Sequence, residues 1–127
     1  MLAESKSSEE YKVLLQRAVE HISSRGFNTI KADLEGYEHP THYKAQNNKQ
    51  LNFSPDITAM NERGKYYFEI AKKTESTREL VSKWKLLETM AEMKNGQLNI
   101  LVPYGQNRFA QELIAQHNIN ANLIKLD

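Results

Sequence analysis

Apolar residues recur along the chain at two different spacings, and the switches between them mark out the elements. From Ser7 to Arg25, Leu14, Ala18 and Ile22 fall on one stripe with Tyr11, Leu15 and Val19 beside them, the spacing of an amphipathic helix. Ser7 with Glu10 three residues later fits a capping box at its start, and Gly26 suits a left-handed turn at its end. Phe27 to Leu34 alternates loosely, as a strand does. Asp56 to Met60 and Lys65 to Lys72 alternate as well, and the polar Asn61-Glu62-Arg63-Gly64 between them suits a hairpin turn. Helical spacing returns over Ser76 to Asn95, where Leu80, Trp84, Leu87 and Ala91 form a core stripe and Ser76 with Glu79 repeats the capping pattern. Leu98 to Pro103 (LNILVP) reads as a short strand of the buried kind. Asn107 to His117 reads as a third helix, and Ala121 to Leu126 as a closing strand.

The order is α-β-β-β-α-β-α-β. A hairpin followed by strands that alternate with helices predicts an α/β domain, a mixed sheet covered by helices. At 127 residues, one domain over 1–127 is the simplest division. Glu35 to Asn52 stands outside the pattern. It is long and polar for a connection, and is either a functional loop or an outward extension of a hairpin.

A formal net charge of +1 excludes a global basic surface, so any contact with nucleic acid must use a local patch. Lys44, Lys49, Arg63, Lys65, Lys72, Lys73, Arg78, Lys83 and Lys85 supply the available charge, diluted by Glu62, Glu75 and Glu79. The absence of cysteine excludes disulfides and thiolate chemistry. No apolar run is long enough to span a bilayer, and the first residues lack the apolar core of a signal peptide, so a cytoplasmic location is expected. His39 and His42 lie three apart in the polar segment, a spacing too poor in further ligands to read as a zinc site.

The chemistry concentrates between Phe53 and Lys73, FSPDITAMNERGKYYFEIAKK. Alternation places Asp56, Thr58 and Met60 on one face of the first strand; Tyr67, Glu69 and Ala71 share a face of the second. Carboxylates on two hairpin strands supply hard oxygen ligands, suited to Mg²⁺ or Mn²⁺ that keeps several waters. Such an ion activates water for in-line attack on a phosphodiester and stabilises the charge that builds on phosphorus. A lysine on the same face adds positive charge and helps to orient the water.

Pro55-Asp56, followed by Glu69 on the next strand within this element order, resembles the PD-(D/E)xK nuclease superfamily, which includes many restriction endonucleases and archaeal-type Holliday junction resolvases. The resemblance covers roughly Ser7 to Pro103. It implies a restriction endonuclease-like domain, DNA as substrate, and Asp56 and Glu69 as ligands to Mg²⁺ or Mn²⁺. The family's lysine falls two positions after the acid, where this chain has Ala71. Lys72 and Lys73 are the expected substitutes. Lys72 needs a β-bulge to turn inward, and Lys73 has the right parity but lies about 6.5–7 Å further along the strand. Since the family relocates this lysine in some members, Lys83 or Lys85 of the second helix is another route. First-helix acids sometimes complete the family's site, which brings in Glu10 and Glu20. The resemblance thus implies a metal-dependent deoxyribonuclease, and Ala71 motivates the alternative of a nuclease-fold domain that binds nucleic acid or assembles without cleaving. A homodimer is expected, as family members often act in pairs. If Pro-Asp and Glu coincide only by chance, Asp56 and Glu69 should lie far apart.

Overall fold

The structure is a computed structural model that describes residues 9–44, 52–72 and 76–126. Ser7, Lys49 and Lys73 lie outside the described residues. The elements run α1 (Glu9–Ser23), β1 (Asn28–Ala32), β2 (Tyr43–Lys44), β3 (Asn52–Phe53), β4 (Ile57–Met60), β5 (Lys65–Ile70), α2 (Thr77–Met93), β6 (Leu98–Pro103), α3 (Asn107–His117) and β7 (Ala121–Leu126). The expected order is present with one addition. The polar stretch after β1 carries a short antiparallel ladder, β2 on β3, with the Tyr43 and Phe53 rings 5.9 Å apart.

The main sheet has five strands in the order β1-β4-β5-β6-β7. β1, β4 and β5 are antiparallel neighbours, whereas β5, β6 and β7 run parallel. Parallel neighbours cannot be joined by a tight turn, and α2 and α3 are the crossovers that join them. Alternation along the strands sends side chains to two cores. Ile57, Ala59, Phe68, Ile70 and Leu101 meet Tyr11, Leu15, Ala18 and Ile22 of α1. Tyr67, Ala71, Leu98, Ile100 and Val102 meet Leu80, Trp84 and Leu87 of α2 and Leu113 of α3. The result is three layers, with the sheet covered on both faces. That double burial is why β6 is apolar at every position but Asn99, which is itself buried. Among the described residues no helix is long and apolar enough to cross a membrane.

Two local expectations need correction. Ser76 does stand at the N-cap of α2, where its carbonyl accepts the Leu80 N–H at 2.9 Å, but its hydroxyl caps nothing, so the Ser76/Glu79 capping box is not made. Both side chains are exposed, where solvent competes for the first-turn N–H groups. The second correction concerns β5, which ends at Ile70 rather than Lys72. Ala71 N–H still donates to Leu101 of β6 at 2.9 Å, but pairing with β4 has already ended at Ile57 and Phe68. Where β4 and β5 part, space opens for side chains.

Candidate functional site

Beyond the Ile57–Phe68 pair, the antiparallel register sets Asp56 opposite Glu69. The two carboxylates occupy the place of the missing ladder bonds. Asp56 N–H donates to Glu69 Oε2 at 2.7 Å, and Ile70 N–H donates to Asp56 Oδ2 at 2.8 Å. Each strand's carboxylate accepts the other strand's backbone, through hydrogen bonds strengthened by the acceptor's charge. The acids therefore meet, against the wide separation that chance coincidence predicts.

Asp56 is 5% exposed and Glu69 only 1%, so both carboxylates need partners within the protein. Glu69 Oε1 lies 2.9 Å from Lys83 Nζ, on α2. Lys83 is buried because it falls on the helix's apolar stripe, three residues after Leu80 and beside Trp84. Its stem runs through the core while its ammonium reaches the acid and sits 5.9 Å from the Phe53 ring centroid. Ala71, where the sequence resemblance puts a lysine, is fully buried against that same helix layer. A methyl group there leaves room for an ammonium delivered from α2.

Asp56 is held from the opposite layer. Tyr11 of α1 donates its hydroxyl to Asp56 Oδ1 at 2.6 Å. Burial, followed by the Asp56 charge and this hydrogen bond, raises the Tyr11 phenol pKa far above its ordinary value, so it remains a donor. The Lys72 ammonium lies over the Tyr11 ring, 4.6 Å from its centroid, on the α1 side that its strand parity predicts. Lys83 rather than Lys72 meets Glu69. Lys85 is exposed on α2, and Lys73 lies outside the described residues. Glu10 and Glu20 are both exposed on α1, and the α1 residue that reaches Asp56 is Tyr11.

No protein-family model, curated protein or solved structure matches the chain.

Asp56 and Glu69, set opposite one another at the ends of β4 and β5, offer the hard oxygen donors that Mg²⁺ or Mn²⁺ takes. A carboxylate has about four lone-pair sites, so hydrogen bonds on its oxygens and a bound cation are compatible. Among the described residues no group of three or more His, Asp or Glu is placed to hold a metal ion. An ion on Asp56 and Glu69 would therefore fill its shell with water and phosphate oxygens, the usual arrangement for Mg²⁺.

Beside the site, α1 and the turn after β1 enclose a groove of about 840 Å³ whose lining includes Glu9, Glu20, Asp33 and Glu35 against Lys12. His39 also lines it and sits 3.0 Å from Asp33. The excess of acids disfavours a polyanion on that side. The role of Tyr11 was hidden in the sequence. Its stripe position predicts burial, and the only further signal is that a buried phenol needs a hydrogen-bond partner.

Proposed function

We propose that this chain is a metal-dependent endonuclease of the PD-(D/E)xK type that hydrolyses phosphodiester bonds in DNA, with Asp56 and Glu69 as ligands to Mg²⁺ or Mn²⁺. One observation carries the reading: a buried ammonium, Lys83 Nζ, stands 2.9 Å from a carboxylate that is itself bonded to the second acid's backbone. Buried acids with a lysine among them mark functional sites more often than core packing requires. In this reading Lys83 takes the role expected of Lys72 or Lys73, and Lys72 is left to the phosphate backbone. The bound ion would activate a water and offset charge on phosphorus. The backbone N–H groups of Asp56 and Ile70 hold both carboxylates in fixed orientations, and Lys83 adds a fixed positive charge for the transition state. Support also comes from the element order, and from the site's place at the carboxyl end of β5, where open α/β sheets bind ligands. A restriction endonuclease-like arrangement, a cytoplasmic location and a homodimer belong to the same proposal.

Incubation with Mg²⁺ or Mn²⁺ and duplex, single-stranded and junction DNA tests it. Cleavage is expected, and Asp56→Ala is expected to abolish it; no cleavage by the wild type, or cleavage that survives the substitution, would sink the reading.

A second reading is a nuclease-fold domain that binds without cleaving. It is favoured by the near-complete burial of both acids, with a protein donor on each of their oxygens. It predicts no heat on titration with Mn²⁺.

A further inference from the structure

We propose that the groove between α1 and the turn after β1 docks a basic, extended segment of a partner protein, one that carries an apolar side chain between its cations.

The groove, about 840 Å³, shares no lining residue with the Asp56–Glu69 pair and does not depend on what that pair does. One wall is a single stripe of α1, where Glu9, Val13, Gln16 and Glu20 recur at spacings of three and four. By helix rise the stripe is about 16 Å long, the length of about five extended residues. The other wall is fixed by its own backbone. Ala32 N–H donates to Glu38 O at 2.9 Å and Tyr37 N–H to Leu34 O at 3.1 Å. Gly36, at φ +92°, fills the position that a type II turn reserves for glycine. Such a wall is ordered in advance, which lowers the cost of binding.

Two observations set the chemistry of the occupant. Val13 is 45% exposed and Tyr37 38%, and both line the groove. Val13 lies off the α1 core stripe, so packing on the sheet does not account for it. Beside these apolar side chains stand Glu9, Glu20, Asp33 and Glu35, four carboxylates against the single Lys12 ammonium. His39 meets Asp33 at 3.0 Å, while Glu9, Glu20 and Glu35 have no ion pair among the described residues. Like charges on facing walls repel, and a cation laid between them relieves that repulsion. A small inorganic cation would leave Val13 and Tyr37 uncovered, and a neutral apolar ligand would leave the carboxylates unmatched. A peptide with lysine or arginine on either side of an apolar residue matches both, and guanidinium groups take carboxylates in bidentate fashion.

Fluorescence anisotropy with labelled synthetic peptides tests this on the full chain. Lys-Arg-Leu-Leu-Lys-Arg is expected to bind about tenfold more tightly than Lys-Arg-Gly-Gly-Lys-Arg, and Glu-Asp-Leu-Leu-Glu-Asp not at all. Glu9→Gln, Glu20→Gln and Glu35→Gln made together should weaken binding by about tenfold, since each exposed ion pair contributes only a few-fold. Val13→Ser should remove most of the leucine peptide's advantage. Glu92→Gln, exposed on α2 and outside the groove, should change nothing. All these side chains are exposed, so the variants should keep the fold, which circular dichroism checks. No binding of the leucine peptide would overturn the proposal, and so would an equal loss in Glu92→Gln. Equal binding of the glycine peptide, or equally tight competition by spermine, would overturn it too, since the groove would then hold any cation. DNA cleavage is read separately: its absence sinks the nuclease reading and leaves the docking groove standing.

Discussion

Glu69 is a carboxylate in a core strand, and burying such a charge costs several kcal/mol unless its oxygens are met. It is met by Lys83 and by the Asp56 N–H. Lys83→Met should therefore destabilise the fold by about 3–5 kcal/mol, because it leaves an uncompensated buried charge. Glu69→Gln in the same chain should restore much of the loss. Urea denaturation of the singles and the double closes this cycle; a loss under about 1 kcal/mol for Lys83→Met would place the pair with weak surface bridges instead. Tyrosines give a second prediction. Burial and Asp56 raise the pKa of Tyr11, while burial and the Tyr43 hydroxyl raise that of Tyr67. The folded chain then holds these protons more tightly than the unfolded chain does. Stability from this source is intact below the unfolded tyrosine pKa of about 10, and falls as pH rises above it by up to about 1.4 kcal/mol per pH unit for each group. Denaturation midpoints measured from pH 8 to 11 should show the fall, shallower in Tyr11→Phe. Complete tyrosinate absorbance in a still-folded chain would contradict it.

At the other end of the β4–β5 hairpin, β5 is tied to the turn after α2. Lys65 N–H donates to Lys94 O and Tyr67 N–H to Gln97 O, both at 3.2 Å. The two backbones approach so closely that a Cβ on Gly64 would overlap the Lys94 carbonyl oxygen, and one on Gly96 the Lys65 carbonyl oxygen. Gly64→Ala and Gly96→Ala should each cost about 1–3 kcal/mol through steric displacement. Gly26→Ala should cost about 1 kcal/mol, since there only the φ of +84° resists and the surroundings are open. Thermal denaturation of the three variants tests this order. The elements themselves were largely legible. Spacing alone predicts Leu98–Pro103, Asn107–His117 and Ala121–Leu126 with the bounds the structure has. Strand parity also predicts that Lys72 leaves the Glu69 face, and it does. What periodicity could not supply was partnership across layers. Tyr11 and Asp56 are 45 positions apart, and nothing local links a stripe tyrosine to a strand-entry acid. Lys83 was visible only as one lysine of α2 within reach. Its place on the apolar stripe was the signal, but lysine is so rarely buried that composition argues the other way.

At the scale of the molecule, the three layers converge where the sheet opens. β4 and β5 each contribute a carboxylate, α1 adds a phenol and α2 an ammonium. Two consequences follow from that arrangement. A net charge of +1 supplies no long-range attraction for a polyanion, so on the nuclease reading DNA binding would depend on cations close to the site and would weaken steeply with salt. On the same reading, the acidic groove along α1 would disfavour a phosphate backbone on that side. On the nuclease reading, α2 supplies through Lys83 the ammonium that strand β5 lacks at Ala71. The rate of Mg²⁺-dependent DNA cleavage by Lys83→Met, set beside Lys72→Met and the wild type at matched folded fraction, tests it most directly. A fall on the order of 10²-fold or more is expected for Lys83→Met and a much smaller one for Lys72→Met. Full activity in Lys83→Met, or its loss only in Lys72→Met, would contradict it.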